Sequence, residues 1–306
     1  MPRFKTCLKS VIFVSSVFLM AGSSAAQSSE RVFSLAYQDD LKQAISYMDA
    51  ANYSKAEKEL KSLRKERGLS AYERSTVEAM LGSAYYKQGD LGDAREHYQL
   101  AINAGGLLPA EALSYEYSIA QILIAEKQYS EGATRLEAWV RQTQQATSKN
   151  TKLIMQSWIQ AGENAKALPW AERWFDGLAE KSRKDYDVMN YLYSQTQASS
   201  KQLNIVEQMI SRWPEERALW DNKLALQAAS GQNEAAYQTF ENMYEKGLLR
   251  READLLKLAK FHEYYKNYAK GAEVMSTAMT NGSVKSSKDN QAYLEQLQTQ
   301  ASMQTP

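Results

Sequence analysis

Two histidines and one cysteine are the only imidazole and thiol groups in this chain. His97 and His262 lie 165 positions apart, and neither has a second histidine or a carboxylate at ligand spacing. A zinc site needs three or four such ligands brought close together, so no metal site is nominated. His97 reads as a surface residue of a helix, and His262 as the occupant of an aromatic slot. No serine lies in the strained turn that activates a nucleophile. Glu57, Glu59, Asp90 and Asp93 are mixed with lysines and read as a solvated helical face with i,i+4 pairing. The six tryptophans, Trp139, Trp158, Trp170, Trp174, Trp213 and Trp220, fall mostly where a helical core is expected. Trp170 is the exception, lying between the core places Ala167, Ala171 and Trp174. The sequence therefore nominates no catalytic residue and no cofactor, and the expectation is a protein that is not an enzyme.

The N-terminus reads as an address. Arg3, Lys5 and Lys9 precede the apolar run Val11–Met20, and the small-x-small pair Ser24 and Ala26 follows it. That is the layout of a secretory signal peptide, residues 1–26, cut after Ala26. The apolar run is shorter than the roughly 20 residues that span a membrane. Cleavage removes three positive charges and no negative ones, taking the net charge from +1 to −2, and it removes Cys7, the sole cysteine. The mature chain needs no disulfide, and a periplasmic location is expected. A near-neutral chain lacks the clustered Lys and Arg that phosphate binding requires, so nucleic acid is not an expected partner.

The elements that would position any site are repeated. In LGSAYYKQGDLGDAREHYQLAI (residues 81–102), Leu81-Gly82 and Tyr85 stand on one helix, Gly89-Asp90 makes a turn, and Ala94, Tyr98 and Ala101 stand on a second helix. This is the pattern of a tetratricopeptide (TPR) unit, whose period is about 34 residues. The small residue at the Ala94 place recurs at Ala56, Gly132, Ala167, Ala236 and Gly271, with a weak place at Gln202. The steps are 38, 38, 35, 35, 34 and 35. The expected fold is all-α: a TPR-like α-solenoid of about seven helical hairpins over 37–283, with a C-terminal capping helix. Residues 27–36 are expected to be flexible, and residues 284–306 to hold the cap and a loose tail. Pro169 is placed in the first turn of a second helix, where its missing N–H loses nothing. Pro214 is placed at a unit's end.

In such a register, one face of each first helix lines a concave surface. The places on it are Ser83, Tyr86 and Lys87; Tyr117 and Gln121; Lys152, Gln156 and Gln160; Asp187, Tyr191 and Gln195; Asp221; and Lys260, Glu263 and Tyr264. Tyrosine gives contact area at low entropic cost, and amides pair with extended backbone. The candidate partner-binding residues are accordingly Tyr86, Lys87, Tyr117, Gln121, Gln156, Gln160, Tyr191, Gln195, Lys260 and Tyr264. The Lys and Asn clamp with which some TPR domains hold a C-terminal carboxylate is absent. Its places hold Leu41, Ile45, Ala79 and Ser83.

Several stretches carry a narrower resemblance: LKQAISYMDAANYSKAEKEL, KALPWAERWFDGL, RWPEERALWDNKLALQAASGQ and MYEKGLLRREADLLKLAKFHEYYKNYAKGAEVMSTAM. Within them, Ala167-Leu168-Pro169, Trp213-Pro214 and Lys246 to Leu249 are the most telling. The chain resembles the periplasmic TPR proteins associated with the TonB energy-transduction system of Gram-negative bacteria. The resemblance implies a non-enzymatic scaffold beside TonB, ExbB, ExbD or a TonB-dependent receptor, supporting uptake of iron complexes and other nutrients. A scaffold for cell-envelope or outer-membrane assembly, or for export, is the alternative. An enzyme would need a catalytic domain. Signal, repeats and cap leave fewer than 30 residues for one, too few to bury a core.

Overall fold

The small residue traced through the sequence falls, in the structure, on the fourth residue of every second helix. The computed structural model describes residues 31–304, so the expected signal peptide and its cleavage point lie outside the described residues. After a 3₁₀ turn, Leu35–Tyr37, fifteen α-helices follow, with no strand among the described residues. They are α1 Gln38–Asp49, α2 Tyr53–Leu63, α3 Ala71–Gln88, α4 Leu91–Asn103, α5 Pro109–Ala125, α6 Tyr129–Thr143, α7 Ser148–Gln160 and α8 Asn164–Asp176. Then come α9 Arg183–Gln195, α10 Ser199–Arg212, α11 Arg217–Ala229, α12 Asn233–Glu245, α13 Glu252–Tyr264, α14 Tyr268–Thr280 and α15 Lys288–Gln304. Odd-numbered helices up to α13 are first helices of seven repeats, and even-numbered ones are second helices. The chain divides into two compact units, one ending at Glu126 and one beginning at Lys127.

Each first helix ends in the same way. Five residues before the small residue, the backbone turns left-handed at Ala51, Gly89, Lys127, Gly162, Gln197, Gly231 and Lys266, with φ between 55° and 93°. Glycine takes this conformation without strain, and the other residues take it at a cost. The next residue's N–H then donates five residues back, which satisfies a carbonyl that the helix end would orphan. Asn52 donates to Tyr47 at 2.8 Å, Asp90 to Tyr85 at 3.0 Å, Glu163 to Trp158 at 2.9 Å, Ala198 to Tyr193 at 2.9 Å and Asn267 to His262 at 2.7 Å. The small residue follows and is buried in all seven repeats. Four residues on comes the main core residue of the second helix: Leu60, Tyr98, Leu136, Ala171, Val206, Phe240 and Met275, all 3% exposed or less.

In unit 1, Gly82 of α3 meets the ring of Tyr98 on α4, and Tyr98 stacks on Tyr115 of α5 at 5.1 Å. Stacking of this kind lets hairpins that could not bury their apolar faces alone share one core.

The structure departs from one expectation, at Pro169, and describes contacts or helix in two segments for which looseness is expected. Residues 31–36, expected to be flexible, are held across unit 1. Arg31 pairs with both oxygens of Glu111 at 2.8 Å, lies over the Tyr72 ring, and donates to Gly106 O. The amide and hydroxyl of Ser34 donate to Glu73 at 2.7 and 2.9 Å, and Phe33 is buried. Pro169 is the sixth residue of α8, inside the helix rather than in its first turn, so the carbonyl of Ala165 loses its i→i−4 donor. At the other end, α15 runs through residues 301–304, which were expected to be loose.

Candidate functional site

Every candidate partner-binding residue lies on a first helix. In unit 1, Tyr86 and Lys87 sit near the end of α3, with Tyr86 half-buried against the core and Lys87 exposed. Burial pushes the Tyr86 hydroxyl above its ordinary pKa. On α5, Tyr117 and Gln121 are one turn apart and hydrogen-bonded; burial raises the Tyr117 hydroxyl, and the Gln121 bond opposes that rise. Ser83 is turned inward, donating to Ala79 O at 2.9 Å and lying 3.4 Å from the Tyr98 hydroxyl.

Sequence reasoning missed the contribution of α1. Leu41 and Ile45 hold the same register places as Tyr117 and Gln121. In the structure, Leu41 is half-buried and Ile45 is 42% exposed. Their apolar character at an outward place was the available signal. The first-helix row of unit 1 thus runs from apolar residues on α1 to a tyrosine and lysine on α3 and a tyrosine–amide pair on α5.

In unit 2, Gln156 and Gln160 of α7, Gln195 of α9 and Lys260 of α13 are exposed, and Tyr191 of α9 is half-buried. Tyr264 is 76% exposed. Its ring stands edge-on to Tyr265 at 5.0 Å. The charged members expected beside them are engaged within the chain. Lys152 lies 5.0 Å over the Trp174 ring, and Asp187 pairs with Arg183. Asp221 pairs with Arg217 at 3.3 Å. Glu263 accepts from Tyr293 at 2.8 Å and Gln296 at 2.9 Å. What the unit 2 row presents to a partner is therefore chiefly amide and tyrosine.

The histidines are not what spacing alone suggested for one of them. His97 is buried rather than on the surface. Its Nδ1 is 2.7 Å from Glu78, nineteen residues earlier on α3, and its ring stacks on Tyr85 at 5.1 Å. Arg64 donates to the other Glu78 oxygen at 2.7 Å. Burial acts to raise the Glu78 carboxyl, but the bonds from His97 and Arg64 outweigh it and hold the pKa below the ordinary value. The group is saturated with partners and presents no reacting atom. His262 fills the aromatic slot, 2% exposed and 2.9 Å from the Tyr237 hydroxyl. No cluster of three or more His, Cys, Asp or Glu that could hold a metal ion occurs among the described residues. No described helix is long and apolar enough to cross a membrane.

No protein-family model matches the sequence, and no curated protein matches it. Solved structures do. The structure of Naa15/Naa10 bound to HypK-THB is similar over 86% of this chain, with a TM-score of 0.50 and 12% identity; the chain spans 39% of the chain it matches there. A tetratricopeptide repeat protein from Parabacteroides merdae is 15% identical over 87% of this chain and 100% of its own, with a TM-score of 0.41. The C-terminal part of a TPR repeat-containing protein from Cytophaga hutchinsonii is 15% identical over 83% of this chain and 98% of its own, with a TM-score of 0.37. At such identities the likeness concerns the fold alone, and that fold is an all-α TPR-like solenoid.

Proposed function

We propose that the chain is a non-enzymatic periplasmic scaffold that binds a segment of a partner protein along its first-helix row, in support of TonB-dependent outer-membrane transport. The observation that carries the binding role is the row itself. Ile45 and Gln121 hold equivalent places on α1 and α5, Tyr117 lies one turn before Gln121, and Tyr86 and Lys87 lie near the end of α3; together they leave an apolar and aromatic surface partly open to solvent. Aromatic surface of this kind is enriched where proteins meet, and polar neighbours fix the register of the guest. Cluster chemistry does not compete with this reading, because the buried acids and histidines are occupied by internal partners.

The choice of TonB, ExbB, ExbD or a TonB-dependent receptor as partner rests on the stretches quoted above, and the periplasmic location rests on residues 1–26. In-cell cross-linking tests both parts. A photoreactive residue is placed at Lys87, within the row, or at Asp93 on a second helix, in cells limited for iron. Capture of TonB, ExbB, ExbD or a receptor from Lys87 but not from Asp93 is expected, and loss of capture in Tyr86→Ala with Tyr117→Ala. Recovery of outer-membrane assembly or export components instead would move the function to envelope assembly. Equal capture from both positions would overturn the assignment to the first-helix row.

A further inference from the structure

On α9, Tyr191 and Tyr193 are two residues apart, about 200° round the helix, so they face different neighbours. Tyr193 looks, with Met189, into a cleft of about 490 Å³ bounded by the second helices α8 and α10. Small-ligand clefts commonly measure about 300–1,000 Å³. The floor is apolar: Phe175, Met189 and Ile205 are 7%, 1% and 4% exposed. One wall is acidic, with Glu172 and Asp176 one turn apart on α8. Lys201 of α10 reaches across the mouth, its Nζ 2.7 Å from Glu172 and 6.0 Å from the Tyr193 ring centre. Asp176, by contrast, has no ion-pair or hydrogen-bond partner among the described residues.

An apolar floor, an aromatic face and a carboxylate without a partner select a guest that is a hydrocarbon stem ending in a cation. A wholly apolar guest would desolvate Asp176 without compensation, and an anion would meet its like charge, Glu172 being already paired with Lys201. Lys and Arg side chains are built this way, with methylenes that cover apolar surface while the head reaches a charge. Lys201 already shows the recognition at the rim, an ammonium held by a carboxylate and near a ring. Burial first, then Glu172 and Asp176, push the Tyr193 hydroxyl up to about 12, while Asp176 itself is exposed at the rim.

We propose that this cleft docks a lysine or arginine side chain presented by a partner protein, with its stem on Phe175 and Ile205 and its charged head on Asp176. Because the cleft lies on the far side of α9 from Tyr191, it is a second contact, independent of the first-helix row.

The test is nuclear magnetic resonance of the full chain carrying ¹³C-methyl methionine, with the Met189 signal identified by its loss in Met189→Leu. The probe is the capped tripeptide Gly-Arg-Gly, against the same peptide with neutral citrulline in place of arginine, and against putrescine. The expected result is a saturable shift of the Met189 signal with the arginine peptide and none with citrulline. Asp176→Asn weakens binding about tenfold, the size of a lost charged hydrogen bond. An equal response to citrulline, or an unchanged affinity in Asp176→Asn, would overturn the proposal. A putrescine affinity above that of the arginine peptide would overturn its source in a protein side chain.

Discussion

Placing a methyl group at Gly82 should weaken the first unit, whereas the same change ten residues on should strengthen it. An ideal Cβ at Gly82 would lie 2.6 and 2.8 Å from ring carbons Cδ1 and Cε1 of Tyr98, and 3.1 Å from the carbonyl oxygen of Ala94. Carbons prefer about 3.5–4.0 Å, so the ring must move by most of an ångström. It has little freedom to do so, being 1% exposed and stacked on Tyr115. Overpacking of this kind costs about 1–3 kcal/mol. Replacing a helical glycine by alanine returns up to about 1 kcal/mol, leaving a net loss of about 1 kcal/mol for Gly82→Ala. At Gly92, the new Cβ would meet only Glu126 Oε1, at 3.7 Å, an ordinary contact, so Gly92→Ala should keep most of the helical gain. Urea unfolding followed by far-ultraviolet circular dichroism compares the two midpoints. The expected order is Gly82→Ala below the parent and Gly92→Ala above it. Tyr98→Leu should cost less in the Gly82→Ala background than alone, a coupling that a double-mutant cycle measures. If both glycine variants rise together, the close approach of α3 to α4 at Gly82 is refuted, and with it the reason for a small residue there.

The turns and the acid limb give two more predictions. Ala51 holds the left-handed turn place with φ 55°, so Ala51→Gly should raise the urea midpoint by the equivalent of about 1 kcal/mol; a lower midpoint would remove the strain argument. Burial acts to raise the Asp254 carboxyl, but bonds from Arg251 and Arg217 outweigh it and hold the pKa at about 2 against an ordinary 3.8. Its folded pKa is depressed, so this stability is present above about pH 4 and is lost as pH falls through 2. Asp254→Asn should therefore cost about 2 kcal/mol at neutral pH and flatten the acid unfolding curve between pH 4 and 2; an unchanged curve would show the pair to be idle.

The repeat was legible because its two strongest constraints are local. A close helix approach asks for a small residue, and a left-handed turn asks for glycine or a tolerant substitute five places earlier. Where the pattern faded, at Gln202, the structure shows a compensated exchange. Gln202 Nε2 donates to Asn190 Oδ1 at 3.1 Å, so a polar pair stands where Gly82 and Ala94 stand in the second repeat. The features the sequence hid depend on partners far apart in the chain. His97 reads as a surface residue because Glu78, which buries it, belongs to the preceding helix. The clasp on residues 31–36 hid for the same reason, since Glu73 and Glu111 lie 39 and 80 positions from the groups they hold.

The same limit divides the candidate site. Register says which side of a helix a residue occupies, and it put Tyr86, Tyr117, Tyr191 and Tyr264 on first helices. It does not say which neighbours satisfy a charge, so Lys152, Asp187, Asp221 and Glu263 looked as available as Gln156 although each is engaged within the chain. Nor does it show space. Tyr193 holds the aromatic place of its first helix, as Tyr85 and His262 do of theirs, but that place does not reveal the cleft, which arises from the lengths of side chains on three helices rather than from the period of any one. Ser200 is short, and Lys201 leans toward Glu172. A repeat fold conserves the spacing of its helices while leaving the side chains between second helices free to vary. The row on the first helices could therefore be read from a period, and the cleft beside Asp176 only from coordinates.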